Sequence, residues 1–121
     1  MLGSQLNATI LNAQVVLAIL GDLDAAVVAA GTTQATATLL TASTSIVTSG
    51  TGGVRLPVTP TVSAKDRLHV ANHTSVVQAI YPPSGGSLSG NTANAPLMMA
   101  PKKCADFLCI DGTNYSALVG A

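Results

Sequence analysis

Residues 76–111, VVQAIYPPSGGSLSGNTANAPLMMAPKKCADFLCID, decide the fold class. Val76 to Tyr81 is rich in β-branched and aromatic side chains, which suit a pleated, half-buried surface. Pro82-Pro83 ends the run, because proline has no N–H to give to a ladder. Ser84-Gly85-Gly86-Ser87 has turn chemistry, and Ser89 to Asn94 continues it as a polar loop. Pro96 to Ala100 then forms a short second strand and Pro101-Lys102-Lys103 turns the chain. Cys104 to Ile110 forms a third strand, stopped by Asp111-Gly112. Short β segments punctuated by Gly and Pro belong to a sandwich or small barrel.

Upstream of this stretch, Leu68 to His73 reads as a strand, and Asn72 to Ser75 as the turn that joins it to Val76–Tyr81 in an antiparallel hairpin. Lys65-Asp66-Arg67 is the densest charge cluster and reads as an exposed turn. Residues 57–63 form an extended connection after a short strand at Val54 to Pro57. Thr32 to Thr41 and Thr44 to Ser49 are Thr-rich strands, broken by Gly50 to Gly53. Before Gly31 the period changes. Asp22 can cap a short helix that Gly31 ends, and Ser4 can cap an earlier one that Gly21 ends. In that earlier segment Leu6, Ile10, Ala13, Leu17 and Leu20 follow 4-3-4-3 spacing, while Leu11, Val15, Val16 and Ile19 widen the apolar surface. The expected architecture is mainly β: a small antiparallel sandwich or barrel over 32–121, with an N-terminal α-helical arm over 1–31. A helix apolar on so many sides needs more than one partner surface. Leu6, Ile10, Ala13, Leu17 and Leu20 are therefore the candidate assembly interface, against another chain or against the domain itself.

The composition narrows function. The chain has 121 residues, enough for one domain with a real core. Only 8% of its residues are charged, against about 25% in ordinary soluble domains, and the net charge is zero. A neutral, weakly charged surface associates readily, so a homo-oligomer is expected. A nucleic-acid partner is not, because no basic face supplies the electrostatic footprint. No membrane span or signal peptide is expected either. The longest strongly apolar run, Val15 to Leu20, is far short of the ~20 residues that cross a bilayer, and no basic n-region precedes it.

The residues that could carry chemistry do not assemble a reaction. Cys104 and Cys109, placed on one strand, face opposite sides of the sheet, with Cα atoms roughly 16 Å apart. A disulfide needs less than about 7 Å, so both read as free thiols. His69 and His73 on a strand are about 13 Å apart, too far for one ion. Gly85-Gly86 and Ser87 to Gly90 lack the Gly-Lys-Ser/Thr that closes a phosphate-cradling loop. Neither enzyme activity, cofactor nor metal is expected. Pro83, Ser84, Gly85, Gly86, Asn91 and Asn94 are expected to form an exposed loop.

The same stretch carries a resemblance. The strand ending in Tyr81-Pro82-Pro83, the Ser84-Gly85-Gly86-Ser87-Leu88-Ser89-Gly90 and Asn91 to Ala95 loop, and the final Ala105-Asp106-Phe107-Leu108-Cys109-Ile110-Asp111 are similar to small structural proteins of tailed bacteriophages. The similarity continues upstream through Ala29 to Thr38 and Gly52 to Pro57. It implies a virion component assembled in the host cytoplasm: a capsid decoration or cement subunit, trimeric, bound to the major capsid protein. The alternative is a tail, baseplate or fibre subunit in which loop 82–96 contacts the host. The resemblance transfers no catalytic residue.

Overall fold

The computed structural model describes residues 23–58, 62 and 64–119. They form β1 (Leu23–Ala29), β2 (Thr38–Leu39), β3 (Thr44–Gly50), β4 (Gly53–Arg55), β5 (Arg67–Asn72), β6 (Gln78–Tyr81), β7 (Leu97–Met99), β8 (Cys104–Cys109) and β9 (Tyr115–Val119). Two sheets result, a five-stranded one in the order β1-β3-β5-β8-β9 (sheet A) and a four-stranded one in the order β2-β4-β6-β7 (sheet B). From β1 to β6 the chain alternates between the sheets, adding each strand parallel to the one laid down a circuit earlier. Parallel neighbours need a long crossover, and here each crossover carries a strand of the opposite sheet. After β6 the winding stops. β7 turns back on β6, β8 returns antiparallel to β5, and β9 closes a hairpin on β8.

The mainly β expectation holds, but the purely antiparallel one does not: both sheets are mixed. The expected hairpin of Leu68–His73 with Val76–Tyr81 is not formed, since β5 lies in sheet A and β6 in sheet B. The chain reverses there as an arch between sheets, for reasons given below. The helix expected over residues 22–31 is replaced by β1, with Val27 and Ala29 turned into the core at strand spacing. Ala favours a helix and Val a strand, so the composition is balanced and the parallel neighbour β3 decides the matter. The β unit therefore already includes Leu23. The earlier stripe Leu6, Ile10, Ala13, Leu17 and Leu20 lies outside the described residues. Of the strand expected over Thr32 to Thr41, only Thr38–Leu39 forms. The Thr33 and Thr36 hydroxyls bond each other at 2.8 Å, and the Thr36 and Ala37 amides donate to Thr33 O, so local turn bonds displace the ladder.

Inward-facing residues of both sheets meet in one core that includes Val47, Val54, Val70, Ile80, Met99 and Phe107, all at most 1% exposed. Tyr115 is fully buried too, and its hydroxyl donates to Pro57 O at 2.6 Å. That bond ties β9 to the segment after β4. Burial, then the neighbouring Cys109, holds its phenol well above the usual range.

Candidate functional site

Because paired residues share a sheet face, the ladder register defines the outer surface of sheet A. Leu23, Thr44, His69, Asp106 and Leu118 form one row across all five strands. Ile46, Ala71 and Cys104 form the row on one side of it, and Arg67, Leu108 and Ser116 that on the other. Leu23 is 53% and Leu118 72% exposed, while Ile46, Leu108 and Cys104 are half-buried. In the middle, His69 Nδ1 and Asp106 Oδ1 lie 2.7 Å apart, two polar groups that satisfy each other on a face that mixes apolar side chains with Thr44, Arg67 and Ser116. Sheet B shows a smaller surface of the same kind, with Leu39 and Met98 exposed beside Arg55 and Tyr81.

The edges of sheet A are treated differently from its face. An unpaired edge strand presents free N–H and C=O groups to any passing chain. On β1, the Thr38 hydroxyl accepts from Ala30 N at 3.1 Å and donates to Val28 O at 2.7 Å, and Asp24 Oδ1 accepts from Ala26 N. Register shifts interrupt the same strand. On β9, Tyr115 N donates to Ser87 O, Ser89 N to Tyr115 O, and Ala117 N to Ser89 Oγ. The Thr38 hydroxyl of β2 and the Asp24 carboxylate on β1, and the backbone and Ser89 hydroxyl of the loop on β9, thus occupy groups that would otherwise template a further strand.

This second edge explains the loop over residues 82–96. Ser84, Gly85, Asn91 and Asn94 are exposed, as expected, but Pro83 and Gly86 are buried. The loop is anchored because Gly86 packs on the β8–β9 turn: a Cβ there would lie 1.8 Å from Thr113 O. Gly86 N donates to Pro83 O and Asn94 N to Gly86 O, both at 2.8 Å. Asn114 Oδ1 accepts from the Ser87 amide and hydroxyl. In the same turn Asp111 accepts hydrogen bonds from the Asn114 side chain and amide and from Thr113, which hold its carboxyl down at about 2.

The arch from β5 to β6 rests on a buried polar network that no strand pattern reveals. Asn72 is fully buried, and its Nδ2 donates to the carbonyls of Val76, Met99 and Ala100. Its Oδ1 accepts from the amide of Thr74 at 3.0 Å and the hydroxyl at 2.6 Å. Gln78 Nε2 reaches Gly50 O at 2.8 Å and the Thr74 hydroxyl at 3.1 Å. Side chain-to-backbone bonds thus lead the chain off sheet A and onto sheet B. Above this floor lies a shallow cleft of about 420 Å³, between Thr48–Thr51, the arch His73–Val76 and Lys102. Lys102 Nζ spans it to His73 O at 2.6 Å.

The two cysteines fall where strand spacing puts them. Both are free, with Cys109 buried inward and Cys104 half-buried on the outer face. His69 and His73 are separated by the end of β5, His69 pairing with Asp106. Among the described residues no group of three or more His, Cys, Asp or Glu could hold a metal ion, and no helix is long and apolar enough to cross a membrane. Comparison with protein-family models, characterised proteins and solved structures finds no match. What the geometry offers is faces with few charges and several exposed apolar side chains, on a sandwich whose larger sheet has protected edges.

Proposed function

We propose that this chain is a structural subunit of a tailed-bacteriophage virion, a decoration or cement protein that sits on the head shell as a homotrimer. One observation carries the reading: apolar side chains stand exposed on the outer faces of both sheets of a domain with very few charges, while the edges of sheet A are blocked. Such a domain associates through its faces. The resemblance of residues 76–111 to phage structural proteins supplies the setting, with the major capsid protein and further copies of the chain as partners. The work is done by burial at roughly 25 cal/mol per Å² of apolar surface, less the cost of lost freedom on association. It uses neither catalysis nor cofactor.

The test is reconstitution. Purified protein added to heads stripped of it should bind to saturation and raise the temperature at which they release DNA. Leu39→Asp with Met98→Asp, which charges the sheet B face, should weaken that binding at least tenfold without unfolding the chain. Heads of unchanged stability at full occupancy would refute a cement role. The rigid tie of loop 82–96 keeps a second reading in play, a tail or fibre subunit presenting Ser84, Gly85, Asn91 and Asn94 to the host; the protein would then bind tails and ignore heads.

A further inference from the structure

The end of the sandwich at the β5–β6 arch is basic. Lys102, Lys103 and His73 gather there, while Asp66 precedes β5 and Asp111 follows β8, both at the opposite end. The cleft of about 420 Å³ opens at this basic end, and no Asp or Glu lines it. Its walls carry the exposed residues Thr48, Ser49, Thr51 and Ser75, whose hydroxyls make no hydrogen bond among the described residues. We propose that the cleft binds a sugar acid, a hydroxylated ring bearing one carboxylate, with Lys102 Nζ donating to the carboxylate and these hydroxyls bonding the ring.

Lys102 is held in place at both ends. Its φ is 62°, in the left-handed region, at the third position of a turn that Lys103 N closes on Ala100 O, with Pro101 second. Turns of that signature ordinarily put glycine or asparagine there, and side chains kept in such a conformation collect at ligand clamps. Two bonds of 2.8 Å, Lys102 N to Asn72 O and Asn72 N to Lys103 O, fix the turn to the root of the arch. At the far end Nζ donates to His73 O at 2.6 Å. That neutral carbonyl leaves the ammonium charge uncancelled, and Lys102 forms no ion pair among the described residues. Its remaining N–H donors are available to an anion. The cost of ordering the side chain is met before a ligand arrives. The walls are set too, since Gln78 Nε2 bonds Gly50 O and the Thr74 hydroxyl beneath them. A volume within the range of small-molecule sites leaves room for a ring beyond the carboxylate. No aromatic side chain lines the cleft, so a neutral sugar finds no stacking surface and the charge has to be the anchor.

Amide NMR spectra of the full chain, titrated with glucuronate, glucose and acetate at low salt, test the assignment. Glucuronate should shift the amides of Thr48 to Thr51, His73 to Val76 and Lys102, and saturate with a Kd on the order of 1 mM. Glucose, which lacks the charge, and acetate, which lacks the ring, should each bind about tenfold more weakly or not at all. Raising the salt to about 1 M should weaken glucuronate binding, because the contact is ionic and partly exposed. Lys102→Met, which keeps most of the aliphatic stem, should cost about tenfold. Acetate binding as tightly as glucuronate would reduce the cleft to a bare anion site and overturn the proposal. So would glucose binding as tightly, shifts confined to other residues, or no saturation at all. Should Lys102→Met disturb the arch, Thr48→Val with Thr51→Val decides instead. That variant keeps Lys102 and its bond to His73 O, and should weaken glucuronate severalfold while leaving acetate unchanged; an unaltered glucuronate affinity would refute the site. The outcome does not depend on whether the protein belongs to a virion.

Discussion

Asn72 is the residue on which the winding turns. A sequence reader sees Asn72-His73-Thr74-Ser75 as turn chemistry and closes a hairpin, and the reversal is indeed there. What the sequence hides is where the side chain goes. Asn72 is buried and spends its amide on carbonyls of the arch and of the end of β7 and the residue after it, which sends the chain across the core. Asn72→Leu would strand several of those groups in the interior, where each unsatisfied partner costs about 1–3 kcal/mol. The expected loss is at least about 2 kcal/mol, read from the midpoint of a urea titration; a loss below about 0.5 kcal/mol would show that the network does not hold the arch. Asp111 is the residue whose charge matters to the β8–β9 turn. Its folded pKa is lowered from 3.8 to about 2, so its contribution is complete above pH 3.8 and lost as pH falls toward 2. The urea midpoint of the native chain should drop across that window, and Asp111→Asn should remove this part of the drop. An unchanged pH profile in the variant would exclude the turn as its source.

At the scale of elements, legibility followed local punctuation. β6, β7 and β8 were readable because Pro82-Pro83, Pro96 and Pro101 bound them, and β8 also because its alternation is local. Sheet membership was not readable, because each paired residue of β3 meets one 25 positions further along the chain in β5 and the register is fixed by Val47, Val70 and Phe107 in the core. β1 was hidden by the opposed preferences of Ala for helix and Val for strand. β9 escaped notice behind Asp111-Gly112, although Tyr115 and alternating Ala117 and Val119 were its signal. The loop over residues 82–96 was rightly read as polar and turn-rich and wrongly as exposed throughout, since polar composition says nothing of Gly86 lying against Thr113. As an edge cap, the loop should split in hydrogen exchange. The amides of Ser89, Tyr115 and Ala117 should be protected, and those of Thr92 and Ala93 should exchange quickly. Gly86→Ala should lift the cap and release the first three together; uniform fast exchange in the native chain would mean the loop does not seal β9.

At the scale of the whole molecule, the features combine into a weakly charged domain with apolar side chains exposed on both sheets. Two mixed sheets enclose a small core, the edges of the larger sheet are occupied, and apolar residues remain on the faces. The virion reading turns that into a number of copies. On that reading the direct measurement is quantitative densitometry, or mass spectrometry with labelled standards, on purified phage particles. A cement subunit should be present in hundreds of copies, in fixed ratio to the major capsid protein and in multiples of three per binding site. A handful of copies that fractionate with tails would contradict it, and absence from the particle would end the virion account altogether.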